Sequence, residues 1–182
     1  AIIMFTRIPI PGKTKTRMMP FLTPEECAKI HGCFISDIYQ EIKMLDAELL
    51  VCYAPEGNVA DLQELLDKNL DYFPQSGDDL GVRMKQAFDQ AFERGYQEVL
   101  LVGTDIPQLT KEHFQMAFDD LRKSDIVIHP TVDGGYYLIG MKQEYDSIWK
   151  IERYGTNTVI YDTLQHMKAE KLATSVGQMY YD

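Results

Sequence analysis

What most narrows the fold of this chain is a repeated exchange between short apolar runs and longer segments of helical period. Ile2–Thr6, Leu49–Tyr53, Val99–Val102 and Ile126–Ile128 are runs with scarcely a polar residue, and Tyr136–Ile139 is another. Between them, apolar residues recur every three or four positions. Thr23-Pro24-Glu25-Glu26 has the cap, first-turn proline and acidic third residue of a helix start, followed by Ile30, Phe34, Ile38, Ile42 and Leu45. Leu62, Leu65 and Leu66 predict a short helix. Asp79 to Gly95 predicts the clearest one, with Leu80, Met84, Ala87, Phe88, Ala91 and Phe92 on one face and Gly95 as the stop. Thr110–Ser124 and Thr156–Lys168 complete the set. Strands that are apolar throughout must be covered on both faces, and their alternation with helices predicts a mostly parallel α/β sheet. A single domain over 1–182 is expected.

That architecture also predicts where chemistry would sit. Right-handed crossovers bring the carboxyl ends of the strands to one edge, and ligands of such sheets bind just outside it. The segment after Thr6, the segment beginning at Gly103 and the turn around Asp133 are therefore expected at one edge.

The first of these is RIPIPGKTKTR, Arg7 to Arg17, four cations in a chain whose net charge is −10. Gly12-Lys13-Thr14 resembles the end of a phosphate-binding loop, but that loop requires a glycine where Arg7 stands. Pro9 and Pro11 also remove N–H donors that a backbone cradle needs. What remains is a side-chain clamp: an extended segment would point Lys13, Lys15 and Arg17 to one side, with Arg7 at the root. Several donors, with the arginine fork among them, suit a diphosphate or triphosphate. The alternative is a solvated run of charge.

Asp105 follows an apolar strand directly, where a carboxylate suits Mg²⁺ or Mn²⁺; it could equally cap the next turn. Asp133-Gly134-Gly135 allows close backbone approach and brings a second carboxylate, although Asp-Gly is also an ordinary hairpin turn. Neighbouring strands about 4.8 Å apart would let Asp105 and Asp133 share one ion. Gly81 and Arg83, expected to be exposed at the start of the strongest helix, form a further anion candidate; a capped structural helix is the plainer alternative. His129 is expected to be packed rather than a ligand. No zinc spacing or Ser-His-Asp order stands out.

The acidic balance of 18 basic to 28 acidic residues argues against nucleic acid or an anionic membrane as partner. Three cysteines without a C-x-x-C pair, no membrane-length apolar run and no signal-peptide pattern lead to the expectation of a cytoplasmic protein.

Taken in order, Phe5-Thr6-Arg7 with Pro9, Pro11-Gly12-Lys13 and Lys15-Thr16-Arg17; Gln75-x-Gly77 with Asp79-Leu80-Gly81-x-Arg83-Met84; Gly103-Thr104-Asp105-Ile106-Pro107; and Asp133-Gly134-Gly135-Tyr136-Tyr137-Leu138-Ile139-Gly140 resemble a bacterial family. It is the GT-A-type, nucleotide-diphospho-sugar-transferase-like family related to the phospholactate guanylyltransferases. Tyr154-Gly155-Thr156 to Thr163-Leu164 extends the likeness to nearly the whole chain. The resemblance implies a Rossmann-like (GT-A) fold, a transferase, a nucleotide or nucleotide-sugar with a small-molecule acceptor, and a divalent metal at the diphosphate. Many GT-A enzymes carry Asp-x-Asp at the metal; here the triplet is Gly103-Thr104-Asp105, which hands the second ligand to Asp133 or water. Metal-dependent glycosyl transfer from a nucleotide sugar is the first expectation, with Asp105 and Asp133 as the catalytic pair. Nucleotidyl transfer from an NTP to a phosphorylated small molecule, releasing pyrophosphate, is the second. Nucleotide binding without turnover is the third.

Overall fold

The computed structural model describes residues 1–181. Seven strands, β1 (Ile2–Thr6), β2 (Leu49–Tyr53), β3 (Asp71–Pro74), β4 (Val99–Gly103), β5 (Ile126–Pro130), β6 (Tyr136–Met141) and β7 (Thr174–Val176), form one sheet. Its order is β3-β2-β1-β4-β6-β5-β7. All neighbours pair in parallel except at β6, which runs antiparallel to both β4 and β5. Five helices connect them: α1 (Pro24–Ile42), α2 (Val59–Leu65), α3 (Leu80–Glu93), α4 (Lys111–Lys123) and α5 (Val159–Ala169).

The continuous apolar runs are explained by burial on both faces. Within each run, alternate residues serve opposite cores. Ile2, Met4, Leu49, Val51, Leu100 and Val102 face one core, shared with Ile35, Ile38 and Ile42 of α1 and Phe114, Ala117 and Leu121 of α4. Ile3, Leu50, Cys52, Val99 and Leu101 face the other, shared with Met84, Ala87, Phe88 and Ala91 of α3 and Met167 of α5. Each Val, Leu, Ile, Phe or Met side chain among them, fully withdrawn from water, contributes roughly 1.5–3 kcal/mol. The mostly parallel α/β fold expected from the sequence is the fold observed.

Helix starts follow their sequence signals. Thr23 and Glu26 form a reciprocal capping box on α1, and Asp79 Oδ1 accepts from Val82 N–H at 2.8 Å on α3. Two strands were not expected. β3 buries only Phe73 fully, and its flanking Asp71 is held by Arg94 at 3.0 Å. β7 is a three-residue polar edge strand. The final helix begins at Val159 rather than Thr156, and α1 stops at Ile42, before Leu45. No helix among the described residues is long and apolar enough to cross a membrane.

Because β1, β2, β3, β4 and β5 run in the same direction, Thr6, Tyr53, Pro74, Gly103 and Pro130 end at one edge. β6, running the other way, begins there at Tyr136.

Candidate functional site

Polar groups at that edge stitch the strand ends into a floor. Thr6 and Thr104 share a buried hydroxyl–hydroxyl bond of 2.8 Å between the ends of β1 and β4. The Gln75 amide donates from Nε2 to the carbonyls of Thr6 at 3.0 Å and Cys52 at 3.4 Å, which fixes its orientation across β1 and β2. Above this floor opens a cleft of about 570 Å³, within the usual range for a small-ligand site. Its polar wall includes Arg7, Lys13, Asp79, Arg83 and Asp105, and its apolar wall Phe5, Ile10, Leu80 and Tyr136.

The basic segment is not extended, so the expectation that Lys13, Lys15 and Arg17 face one side by alternation is corrected. Lys13 N–H and Thr14 N–H both turn back to the Ile10 carbonyl, at 3.0 and 3.2 Å. Gly12 has φ +79 and Lys15 φ +50, and a 3-10 turn occupies Thr16–Met18. A chain that reverses hand twice within four residues sends its side chains apart. Lys13 stays on the cleft wall, loosely opposite the exposed Glu56 at 3.7 Å. Lys15 does not line the cleft: its ammonium lies 2.8 Å from Asp105 Oδ1 and 4.9 Å over the Phe34 ring. Arg17 is exposed, and its charge acts on Asp133. Beneath the root of the loop, His31 donates from Nε2 to the Arg7 carbonyl at 3.1 Å, since a carbonyl only accepts. Its buried Nδ1 has no partner among the described residues, and burial above all lowers its pKa.

Arg83 lies on the first turn of α3. Its Nε donates to the Gly77 carbonyl at 2.8 Å, and the residue lines the cleft. Gly81, expected to be exposed, is buried instead. A Cβ there would overlap the Tyr154 ring, so this glycine admits Tyr154 rather than an anion. Burial pushes the Tyr154 phenol up to about 12 and that of Tyr136 well above its ordinary value. Both are neutral, and Tyr136 lines the cleft.

Asp105 is 57% exposed in its side chain and belongs to the cleft wall. Asp133 is held within its own turn: Oδ1 accepts from the Thr131 hydroxyl at 2.6 Å and from Gly135 N–H at 3.1 Å. The Thr131 bond, assisted by Gly135 N–H and the charge of Arg17, keeps its carboxyl below the usual carboxylate value. Gly134 has φ +94, and a Cβ there would overlap the backbone of Asn157, while its carbonyl accepts from Ile160 N–H at 2.9 Å. Gly134 is therefore where the start of α5 docks on the turn. Since β4 pairs with β6, the Asp105 loop and the Asp133 turn adjoin neighbouring strands. Among the described residues there is no group of three or more His, Cys, Asp or Glu side chains that could by itself hold a metal ion.

His129 is packed, as expected, with its Nδ1 at 3.0 Å from the Tyr137 hydroxyl. The floor residues Thr6, Thr104 and Gln75 were missed. All three stand in the motifs of the family resemblance, and Thr6 and Thr104 are in addition polar residues at the carboxyl end of an apolar strand, where the chain passes from core to ligand edge. His31 was missed because a lone histidine on a helix face carries no signal until its neighbours are known.

The profile of a family described as "Uncharacterized protein conserved in bacteria (DUF2064)" matches residues 38–156. The chain is 27% identical over 180 residues to the 2-phospho-L-lactate guanylyltransferase of Methanobrevibacter ruminantium, covering 93% of this chain and 74% of that one. It spans only 55 to 60% of the length of three further relatives of that name. A crystal structure from Desulfovibrio desulfuricans G20, provisionally assigned as a nucleotide-diphospho-sugar transferase, matches with a TM-score of 0.93 at 34% identity. That match covers all of this chain and 80% of the other. CMP:2-keto-3-deoxy-manno-octonic acid synthetase complexed with CTP matches with a TM-score of 0.63 at 8% identity, over 99% of this chain and 89% of that one. This last likeness is one of fold alone.

Proposed function

The chain belongs to the bacterial DUF2064 family, and from that premise we propose that it is a nucleotidyltransferase that moves a nucleoside monophosphate from an NTP to a phosphorylated small molecule. The observation that carries this is the cleft at the carboxyl ends of parallel strands, where three cationic side chains, Arg7, Lys13 and Arg83, stand among the carboxylates Glu56, Asp78, Asp79 and Asp105. Cationic side chains that can take phosphate oxygens, with carboxylates beside them that can take a divalent ion, suit a polyphosphate bound with its metal. The names of the curated relatives support nucleotidyl over glycosyl transfer, and make GTP the first donor to test. The order of the two enzymatic expectations is thereby reversed.

In the proposed reaction an oxygen of the acceptor phosphate attacks the α-phosphorus. The new P–O bond forms as the bond to the bridging α–β oxygen breaks, and pyrophosphate leaves with that electron pair. Arg83, its Nε anchored on Gly77, offers a fork to the phosphates, while Lys13 and Arg7 offset the charge that accumulates on the leaving group. Arg17, whose charge reaches Asp133, would receive the acceptor's own anion in this reading. The donor set fits a hard divalent ion of the Mg²⁺ or Mn²⁺ kind, which takes one or two carboxylates and completes its shell with phosphate oxygens and water. Asp105 would hold it, with Asp133 as the second carboxylate. Such an ion supplies charge neutralisation at the reacting phosphate.

Incubation with an NTP panel, phosphorylated hydroxy acids and Mg²⁺ or Mn²⁺ tests the proposal. Stoichiometric pyrophosphate and a nucleotidyl adduct by mass spectrometry are expected, GTP being the preferred donor. Glycosyl transfer keeps a claim through the D. desulfuricans structure. Release of nucleoside diphosphate from NDP-sugars, with no pyrophosphate from any NTP, would establish that reading and overturn nucleotidyl transfer.

A further inference from the structure

We propose that Lys15 is the counter-ion of Asp105, not a phosphate ligand, and that it keeps this carboxylate from capturing a free divalent cation, so that metal enters the site together with the nucleotide. The inference rests on the nucleotide and metal reading given above.

The ion pair is built. Its ammonium–carboxylate distance is 2.8 Å, and the Lys15 side chain is only 17% exposed, whereas Lys13 meets Glu56 at 3.7 Å with both side chains largely in water. The Phe34 ring of α1 lies under the ammonium at 4.9 Å, an attractive surface for a cation. The backbone is committed to the arrangement as well. Lys15 takes the left-handed conformation, φ 50 and ψ 37, and its carbonyl accepts from Met18 N–H at 2.9 Å at the start of the 3-10 turn. A non-glycine residue in that region carries a conformational cost that only its surroundings offset. Lys15 reaches Asp105 while remaining off the cleft wall that Asp105 and Thr14 form.

A cation arriving alone meets a carboxylate already half-neutralised on Oδ1, and repulsion from the ammonium behind it. Among the described residues no cluster of three acidic or imidazole ligands compensates. A nucleotide changes this, because its phosphates bring both ligands for the metal and negative charge that screens Lys15. Metal and nucleotide are then coupled: each strengthens the other's binding by the same factor, as linkage requires.

The test is Mn²⁺ binding followed by the electron paramagnetic resonance signal of the free ion. It compares wild type, Lys15→Met, Lys15→Gln and Lys15→Arg, with and without a non-hydrolysable GTP analogue. Lys15→Met and Lys15→Gln are each expected to bind free Mn²⁺ about tenfold more tightly than wild type, an ordinary size for one lost charge repulsion of this kind. Lys15→Arg should stay as weak as wild type, and adding Asp105→Asn to Lys15→Met should abolish the gain. The enhancement of Mn²⁺ affinity by the analogue should shrink by about the same tenfold factor in the two neutral variants. Either neutral variant serves if the other fails to fold by circular dichroism. Unchanged or weaker Mn²⁺ binding in a folded neutral variant overturns the role of Lys15, as does a gain that survives loss of Asp105. Failure of every variant and of wild type to bind the analogue would instead overturn the nucleotide reading, while the comparison with free Mn²⁺ would still judge Lys15.

Discussion

Acid should loosen this protein through one buried histidine before its carboxylates titrate. His129 is 4% exposed at the end of β5. The Tyr137 hydroxyl donates to the Gln178 carbonyl at 3.1 Å, so its oxygen accepts from His129 Nδ1–H at 3.0 Å. That assignment leaves Nε2 bare, and Nε2 has no partner among the described residues. A Cβ on Gly177 would overlap the imidazole, so the tail backbone seals this side of the ring. A proton on Nε2 would enter a dry contact with no acceptor, and burial accordingly lowers the pKa from 6.5 to about 4. The sign follows from linkage: the unfolded chain binds the proton near pH 6.5 and the folded chain does not. This stability is therefore fully present above the unfolded value and is lost as pH falls through 6.5 toward 4. For a shift of that size, lowering pH from 8 to 4.5 costs about 2.5 kcal/mol from His129 alone. Urea unfolding at the two pH values, for wild type and His129→Asn, measures it. Asn keeps a donor for Tyr137 but does not titrate. The variant is expected to be less stable at pH 8 and to lose about 2 kcal/mol less than wild type on acidification. Equal losses in the two proteins would refute the buried-histidine account.

Arg83→Met should weaken binding of a non-hydrolysable GTP analogue by roughly ten- to a hundredfold, with the melting temperature little changed, because a charged fork is lost at the cleft wall. Arg83→Lys should recover little, since a lysine cannot hold Gly77 and present a fork together; full recovery in a calorimetric titration would argue against the bidentate role. Gly134→Ala should cost about 3 kcal/mol in chemical denaturation, from a positive φ and overlap with Asn157. Gly135→Ala, which meets only side-chain atoms at 3.1 and 3.4 Å, should cost under about 1 kcal/mol. Equal costs would show that the α5 contact does not govern the turn.

The elements legible in the sequence are those whose burial is written on two faces. Ile2, Ile3 and Met4 could be assigned to a central strand because each neighbour along the chain must be apolar for a different core. β3 and β7 escaped the same logic. Asp71-Tyr72-Phe73-Pro74 sits at one rim of the sheet and Thr174-Ser175-Val176 at the other, where half the surface is wet and backbone pairing decides the matter. Backbone pairing leaves little trace in side-chain pattern.

The site divides along a similar line. Topology alone placed the Arg7 loop, Asp105 and the Asp133 turn at one edge, because crossover handedness and strand direction are general properties of such sheets. What sequence spacing could not supply was the path of the loop. Lys13, Lys15 and Arg17 share a side only if the backbone is extended, and that assumption fails at Gly12 and again at Lys15, where φ becomes positive. Glycine announces such freedom, but lysine does not, since it rarely adopts the left-handed region. The cation with the least legible conformation is thus the one that leaves the cleft wall for Asp105. Charge density marked a segment at the cleft, whereas the direction each charge takes depended on dihedral angles and on the Phe34 ring below. The same reasoning separates Gly81 from Gly134. Both stand in motifs that suggest close approach of a ligand, and both turn out to admit a neighbour instead, the Tyr154 ring at one and the Asn157 backbone at the other. A glycine in a motif reports that something comes near, and only the packing says what.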